Sequence, residues 1–293
     1  MTTSTTLKWA EHPNSITDLG LKAYGVSVGI RVNGPDILER LVEHLPPGWR
    51  PCPSKVVDRR YFLSIGAAGN GSQASRVHLL FRDGVQVARS QDLDLILEIL
   101  ESDLQISVAE AAPRVFIHAG VVGWRGKAIL IPGRSFSGKT TLVAELVRAG
   151  ADYYSDEYAV VDRRGRVHPY PKPLSIREGA DNRQKKYPVE ALGGRPGVRP
   201  LPLGLVVVTR YEPGAEWRPE SLSAGQGILE LLANTVSARR EPERALDTFK
   251  NFFRGVHFLK SARGEAKEVA PFILEEAGQL SQQGRFLTET LAG

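Results

Sequence analysis

Eight consecutive residues carry the most specific chemical pattern in this sequence. Gly-Arg-Ser-Phe-Ser-Gly-Lys-Thr, residues 133–140, satisfies the phosphate-loop pattern GxxxxGK[ST]. Its glycines let the backbone curl so that N–H groups point at phosphate oxygens. A lysine and a hydroxyl at its end reach the terminal phosphates and Mg²⁺. The alternative is a glycine-rich turn with a surface lysine.

The pattern predicts a site for a nucleoside triphosphate, with Lys139 on the β- and γ-phosphates and Thr140 on Mg²⁺. The following helix would add the positive end of its dipole. The predicted binding residues are Gly133, Arg134, Ser135, Phe136, Ser137, Gly138, Lys139, Thr140 and Thr141.

Two adjacent acids, Asp156 and Glu157, follow the loop after one predicted helix and within a predicted strand, Tyr153–Val161. Phosphoryl transfer uses one carboxylate to hold Mg²⁺ and often another to orient or deprotonate the attacking hydroxyl. Neighbours on a strand face opposite ways, so both acids reach one site only if the strand ends or bends there. The alternative is a pair of solvated acids at a strand end.

Several cationic residues are weaker candidates. His118 lies on the strand before the loop, where a hydrogen-bonded core histidine is the alternative. Lys172 and Arg177 follow the acids and are placed to neutralise the transferring phosphoryl group, or are surface cations. Arg195 and Arg199 lie in glycine-rich sequence that could close over a nucleotide as a lid.

The elements that must position these residues can be predicted from apolar patterns. Strands Val115–Val122 and Lys127–Ile131 form a hairpin with a four-residue connection, and a helix covers Thr140–Arg148. Residues 179–200 are predicted to be a mobile loop. The remaining predicted elements are a strand over Leu203–Thr209 and helices over Leu222–Val236, Pro242–Phe253 and Val269–Leu280.

The N-terminal part of the chain is predicted to be separate. Residues 1–20 are expected to be a loose arm and residues 21–112 a small α+β domain, followed by a phosphate-loop domain over residues 113–293. Ser90 is the predicted N-cap of the long helix in the small domain.

Composition excludes several classes of protein. The 293 residues include 38 Lys and Arg against 33 Asp and Glu, a mild excess with no basic run, so no nucleic-acid partner is expected. Cys52 is the single cysteine, which excludes a disulfide scaffold. With no apolar run near the roughly 20 residues of a membrane span, and no secretory signal, a cytoplasmic protein without a membrane partner is expected.

The segment from Ile117 to Asp162, IHAGVVGWRGKAILIPGRSFSGKTTLVAELVRAGADYYSDEYAVVD, resembles the catalytic domain of HPr kinase/phosphorylase. The shared order is a histidine-bearing strand, a hairpin into the phosphate loop, a helix, and a strand with adjacent acids. The resemblance implies an α/β phosphate-loop core with a mixed sheet similar to that of phosphoenolpyruvate carboxykinase. Phe136 and Ser137 replace the family's usual Gly and aliphatic residue, and its downstream signature finds no match after Tyr170.

By position, the resemblance implies that Asp156 is the general base, that Glu157 is a second acid assisting Mg²⁺, and that His118 is an active-site histidine. The expected activity is an ATP- and Mg²⁺-dependent kinase acting on a hydroxyl of a peptide, protein or small molecule. The family forms hexamers, so a homo-oligomer is expected. The alternative is a nucleotide-binding switch or ATPase that acts on a partner without phosphorylating it.

Overall fold

The strands and helices of this chain belong to a mixed α/β protein with several sheets. The computed structural model describes residues 17–54, 56–66, 77–133, 137–178, 183–250 and 255–290. By its internal contacts the chain divides into two compact units, Met1–Pro113 and Arg114–Gly293. Among the helices in the described ranges, none has both the length and the apolar character needed to cross a membrane.

In its described residues, the first unit contains one sheet, two α-helices and a short 3₁₀ helix, Pro35–Ile37. In chain order its elements are β1 (Thr17–Ala23), β2 (Val26–Val32), α1 (Leu38–Glu43), β3 (Arg50–Pro51), β4 (Arg59–Ser64), β5 (His78–Arg82), β6 (Val85–Ser90) and α2 (Leu93–Ala111). The strand order is β3-β1-β2-β4-β5-β6, antiparallel except for the β2–β4 pair. Buried and more exposed side chains alternate along β1 and β2, as expected for strands with one face on a core.

Two predictions for this unit were wrong in detail. Residues 17–20, expected in the loose arm, begin β1, which is paired with β2 along its whole length; residues 1–16 lie outside the described residues. The N-cap of α2 is Asp92, whose carboxylate accepts the N–H groups of Asp94 and Leu95. Ser90 lies two residues before this N-cap, and its hydroxyl accepts the N–H of Asp92.

The second unit contains the phosphate-loop segment. In chain order its elements are β7 (Val115–Trp124), β8 (Lys127–Pro132), α3 (Lys139–Arg148), β9 (Asp152–Ser155), β10 (Tyr158–Val161), β11 (Arg166–His168), β12 (Leu174–Glu178), β13 (Arg183–Tyr187), β14 (Leu201–Tyr211), β15 (Glu220–Ser221), α4 (Ala224–Ala233), α5 (Pro242–Lys250), β16 (His257–Arg263) and α6 (Ala266–Thr290). The main sheet has the order β11-β10-β7-β8-β14-β16-β15, with β9 also on β7, and β12 and β13 form a separate ribbon.

The predicted hairpin into the loop is confirmed, with a tighter turn. β7 and β8 pair antiparallel up to Trp124 and Lys127, so only Arg125 and Gly126 connect them. Both have positive φ, 47° and 79°, as a two-residue turn between twisted strands requires. On its other edge β8 pairs parallel with β14, which pairs parallel with β16. The sheet is therefore mixed, as predicted.

Helices cover both faces of this sheet. Ile129 and Ile131 of β8 pack in one buried cluster with residues of α3 and α6, whereas Leu130 packs in a second cluster with residues of α4 and α5. A strand buried on both faces has a continuous apolar sequence, which explains the run in β8 and the similar run in β14.

Two other predictions in this unit were wrong. Of residues 179–200, expected as a mobile loop, 183–187 form β13 and Val189–Leu192 form a short 3₁₀ helix. α4 stops at Ala233, not Val236, because the residues after it pair with β7: Asn234 O accepts the N–H of His118, and the Val236 N–H donates to Phe116 O.

Gly120 of β7 marks where α3 approaches the sheet most closely. A Cβ there would lie 2.5 Å from Val143 Cγ2, so Gly120→Ala should lower the free energy of unfolding by about 1–3 kcal/mol through overpacking. Gly225→Ala is the control, since nothing lies within 4 Å and alanine favours the helix by about 0.5–1 kcal/mol. Urea unfolding of both variants measures the change in the free energy of unfolding. Equal changes in the two variants would contradict the predicted close packing at Gly120.

Candidate functional site

The two ends of the phosphate-loop segment are held by β8 and α3. β8 ends at Pro132, and the N–H of Gly133 donates to His118 O on β7 at 3.1 Å. α3 begins at Lys139, and its N-cap is Gly138 with φ 81°, a conformation that favours glycine. Arg134, Ser135 and Phe136, three of the predicted binding residues, lie outside the described residues.

The N-terminus of α3 has the features of an anion site. Gly138 has no side chain to cap the helix, and the first turn contains Lys139, Thr140 and Thr141 but no acid. The N–H groups of such a turn have no intrahelical acceptors and attract anions. Ser137 Oγ is buried near Gly133, where a Cβ would lie 2.7 Å from it, and has no hydrogen-bond partner among the described residues.

Asp156 is brought to the beginning of α3 by the short strand β9. Thr140 Oγ1 donates to Asp156 Oδ2 at 3.0 Å. This bond joins the hydroxyl that was predicted to bind Mg²⁺ to the first of the two predicted acids. Tyr153 Oη lies 2.9 Å from Asp156 Oδ1 and 2.7 Å from the carbonyl oxygen of Lys172. Since a tyrosine hydroxyl has one hydrogen, it donates to one of these acceptors at a time.

The Asp156 carboxyl group is partly buried. Burial raises its pKa, whereas hydrogen bonds from Tyr153, Thr140 and the backbone N–H of Ser175 lower it, and burial has the larger effect. Tyr153 is itself 1% exposed, and burial together with the nearby Asp156 charge raises its pKa. The acid is thus a partly buried carboxyl group with three neighbouring hydrogen-bond donors.

Glu157 differs from Asp156 in its exposure. β9 ends at Ser155, and Asp156 and Glu157 form a bend before β10 begins, which is the condition predicted for both acids to reach one site. Ser155 Oγ accepts the N–H groups of Glu157 and Tyr158 and so stabilises the bend. Glu157 is exposed at the surface of the site, whereas Asp156 is partly buried.

Lys139 and His118 complete the charged groups of the site. Burial lowers the pKa of Lys139, and the charges of Glu157 and Asp156 oppose this. Burial and the Lys139 charge lower the pKa of His118, whose ring centroid lies 4.9 Å from that of Tyr158. The backbone of His118 also connects the segments, since Tyr158 is its partner in the β7–β10 pairing and its carbonyl binds Gly133.

The other cationic candidates are held in different ways. Lys172 reaches the site through its carbonyl, and Arg177 lies in β12 opposite Gln184. Arg195 pairs with Asp152 at the start of β9, and its carbonyl accepts the N–H of Tyr153. Arg199 O accepts the Tyr154 hydroxyl at 2.7 Å. These contacts attach residues 195–199 along β9, so the structure does not favour the predicted lid.

Sequence reasoning missed three groups at this site: the hydroxyl of Tyr153, the backbone N–H of Ser175, and Arg263, whose Nη2 donates to Gly138 O at 3.0 Å. A tyrosine in an apolar strand and an arginine at a strand end are ordinary residues in ordinary places. No motif identifies them, because their proximity to the loop depends on strand pairing.

Comparisons with known proteins find similarity among solved structures. No family model matches the chain, and no curated protein matches it. Among solved structures, the chain is similar to the Hpr(Ser) kinase/phosphatase from Coxiella burnetii, at 13% identity and a TM-score of 0.32, over 59% of this chain and 98% of that chain. This is a weak structural relation.

The Tyr153 hydroxyl should contribute more to the stability of the folded protein than the Tyr154 hydroxyl does. Tyr153→Phe removes contacts with a carboxylate and with the Lys172 carbonyl, so the free energy of unfolding should fall by about 1.5–3 kcal/mol. Tyr154→Phe, the matched control, loses one bond to the Arg199 carbonyl and should cost about 0.5–1.5 kcal/mol. Chemical denaturation measures both, and a smaller loss for Tyr153→Phe would show that the Asp156 contact is not formed.

Proposed function

We propose that this protein is an ATP- and Mg²⁺-dependent kinase that transfers the γ-phosphate to a hydroxyl group of a peptide, protein or small molecule. The observation that carries the proposal is the hydrogen bond between Thr140 Oγ1 and Asp156 Oδ2, 3.0 Å long. It joins the acid to the hydroxyl at the end of a phosphate-loop sequence. In phosphate-loop enzymes, the hydroxyl at the end of the loop and a nearby acid together hold the Mg²⁺ of the bound nucleotide.

Triphosphate binding is assigned to residues 133–141. The support is the sequence pattern, the α3 N-terminus without acids, and the buried Ser137 hydroxyl that lacks a partner among the described residues. Lys139 would neutralise the β- and γ-phosphates. Its burial strengthens that interaction, because water screens the charge less.

The donor atoms at the site fit Mg²⁺. Thr140, Asp156 and Glu157 offer hydroxyl and carboxylate oxygens, the hard ligands that Mg²⁺ prefers. No group of three His, Cys, Asp or Glu side chains in the described ranges could hold a metal ion by itself. This suits Mg²⁺, which is usually held by one or two carboxylates with phosphate oxygens and water. When bound, it would neutralise charge on the phosphates.

Asp156 is assigned as the general base. Its partly buried carboxyl group lies at the beginning of α3, bonded to Thr140 Oγ1, where a carboxylate could accept the proton of an attacking hydroxyl. Tyr153 and the Ser175 N–H would keep the carboxylate in place. Glu157 would assist with Mg²⁺, and His118 would lie beside Lys139 as a second active-site group.

A nucleotide-binding switch or ATPase is the second candidate, and one observation favours it. Both oxygens of Asp156 already have partners, Oδ1 with Tyr153 and Oδ2 with Thr140. A carboxylate held in this way could bind Mg²⁺ together with Thr140, and this role needs no hydroxyl substrate as phosphate acceptor.

Lys139→Ala tests the nucleotide site. Loss of the cation should raise the dissociation constant for a non-hydrolysable ATP analogue with Mg²⁺ by about tenfold or more, because a desolvated charge pair is lost. Lys267→Ala is the control, since Lys267 is an exposed lysine of α6. Calorimetry measures both constants. If Lys139→Ala binds as tightly as the parent, the assignment of the loop is wrong.

Asp156→Asn tests the transfer step. With γ-labelled ATP and cell extract, the parent should label an acceptor, and the variant should label it about a hundredfold more slowly because the base is lost. Asp162→Asn is the control, an acid that accepts backbone N–H groups in the turn after β10. ATP hydrolysis by the parent without any labelled acceptor would instead support the ATPase candidate.

A further inference from the structure

Arg263 is a buried arginine that contacts the phosphate-loop segment. It is the last residue of β16 and is 2% exposed. Its Nη2 donates to Gly138 O and its Nη1 to Gly264 O, each at 3.0 Å. The Cζ atom lies 5.4 Å from the centroid of the Tyr211 ring, and Nε is buried without a partner among the described residues. All the groups that hold this guanidinium are neutral.

The Arg263 charge has no carboxylate ion-pair partner in the described part of the chain. Burial lowers its pKa, and the charge of Glu265 together with Tyr211 opposes this. Glu265 instead accepts the Tyr211 hydroxyl at 2.8 Å. An arginine this deeply buried is normally paired, because an uncompensated charge in the interior costs stability. The missing partner therefore points to an anion that arrives from outside.

The position of Arg263 in the sheet indicates where that anion would bind. β8, β14 and β16 are parallel, so their carboxyl ends meet at one edge. Ligands of open α/β sheets bind outside the carboxyl ends of the strands. The phosphate-loop segment follows β8 at this edge, and Arg263 ends β16 there.

The contact with Gly138 connects Arg263 to the loop itself. Gly138 O accepts both Arg263 Nη2 and the N–H of Leu142, the first bond of α3. A Cβ on Gly138 would lie 2.5 Å from Nη2, so the guanidinium rests directly on this peptide. A charged donor on a carbonyl polarises its peptide group, which makes the following N–H, that of Lys139, a stronger donor.

We infer that Arg263 is a positioning residue of the phosphate site: it braces the Gly138 peptide and supplies a buried positive charge whose counter-ion is the phosphate of the bound nucleotide. This rests on the proposed nucleotide binding. It predicts that the effect of Arg263 grows with the negative charge of the ligand and is absent for a ligand without phosphate.

Arg263→Met removes the charge and keeps an apolar side chain of similar length. Calorimetry with ATP, ADP and adenosine should show about a tenfold weaker affinity for ATP, a smaller loss for ADP and none for adenosine, since a Coulomb interaction scales with charge. Arg210→Met is the matched control, an exposed arginine of β14 paired with Glu212, and should leave all three affinities unchanged. Arg263→Lys, which keeps the charge, should retain most of the preference for ATP.

The stability of the nucleotide-free protein separates this role from a structural one. Removal of an unpaired buried charge should leave the urea midpoint of Arg263→Met unchanged or raised, while the rise caused by ATP becomes smaller. A purely structural arginine would lower the midpoint without ligand and weaken all three ligands alike, and that result would overturn the inference. Arg263→Gln tests the same point if the methionine variant does not fold.

The inference and the proposed function can fail separately. One outcome is that the parent binds ATP, that Lys139→Ala does not, and that Arg263→Met binds ATP as tightly as the parent. In that case the proposed role of Arg263 is wrong, but the proposed nucleotide site stands. If the parent binds no nucleotide, both are wrong.

Discussion

Strand β7 is hydrogen-bonded along both edges, and this pairing places every segment of the candidate site. One edge carries β8 and residues 234–236, and the other carries β9 and β10. Because a buried strand must satisfy its N–H and C=O groups, these partners cannot shift independently. The beginning of the loop at Gly133 and the bend at Asp156 and Glu157 therefore both lie against the backbone around His118. The Thr140–Asp156 hydrogen bond is a consequence of this arrangement.

The electrostatics of the site follow from that placement. Lys139, His118 and Arg263 are drawn together at the N-terminus of α3, and burial lowers the pKa of each. The two acids are close enough to raise the pKa of Lys139, but burial has the larger effect on it. Two positive groups, Lys139 and Arg263, are thus partly removed from water beside the loop, while the lowered pKa of His118 favours its neutral ring. A multiply charged anion would relieve both the desolvation and the mutual repulsion, which connects the stability of the site to its occupation.

Much of the architecture around the loop could be predicted from local pattern. The β7–β8 hairpin, the helix after the loop and the apolar strand β14 are short-range features, because side-chain period and turn residues determine them. The errors share one cause. α4 ends early because residues 234–236 pair with β7, and the glycine-rich residues after 192 are ordered by contacts with β9. Long-range pairing overrode local composition in both cases.

The sequence by itself determined which chemical groups are present and which of them are local neighbours: the glycines, lysine and threonine of the loop, and the adjacent acids at a strand end. Only the tertiary structure decided their partners. Tyr153 reaches Asp156, and Arg263 reaches Gly138 from a position 125 residues away. The physical reason is that a motif records spacing along the chain, whereas burial and hydrogen bonding depend on which strands pair. That the Arg263 charge lacks a carboxylate partner among the described residues is therefore visible only in the folded protein.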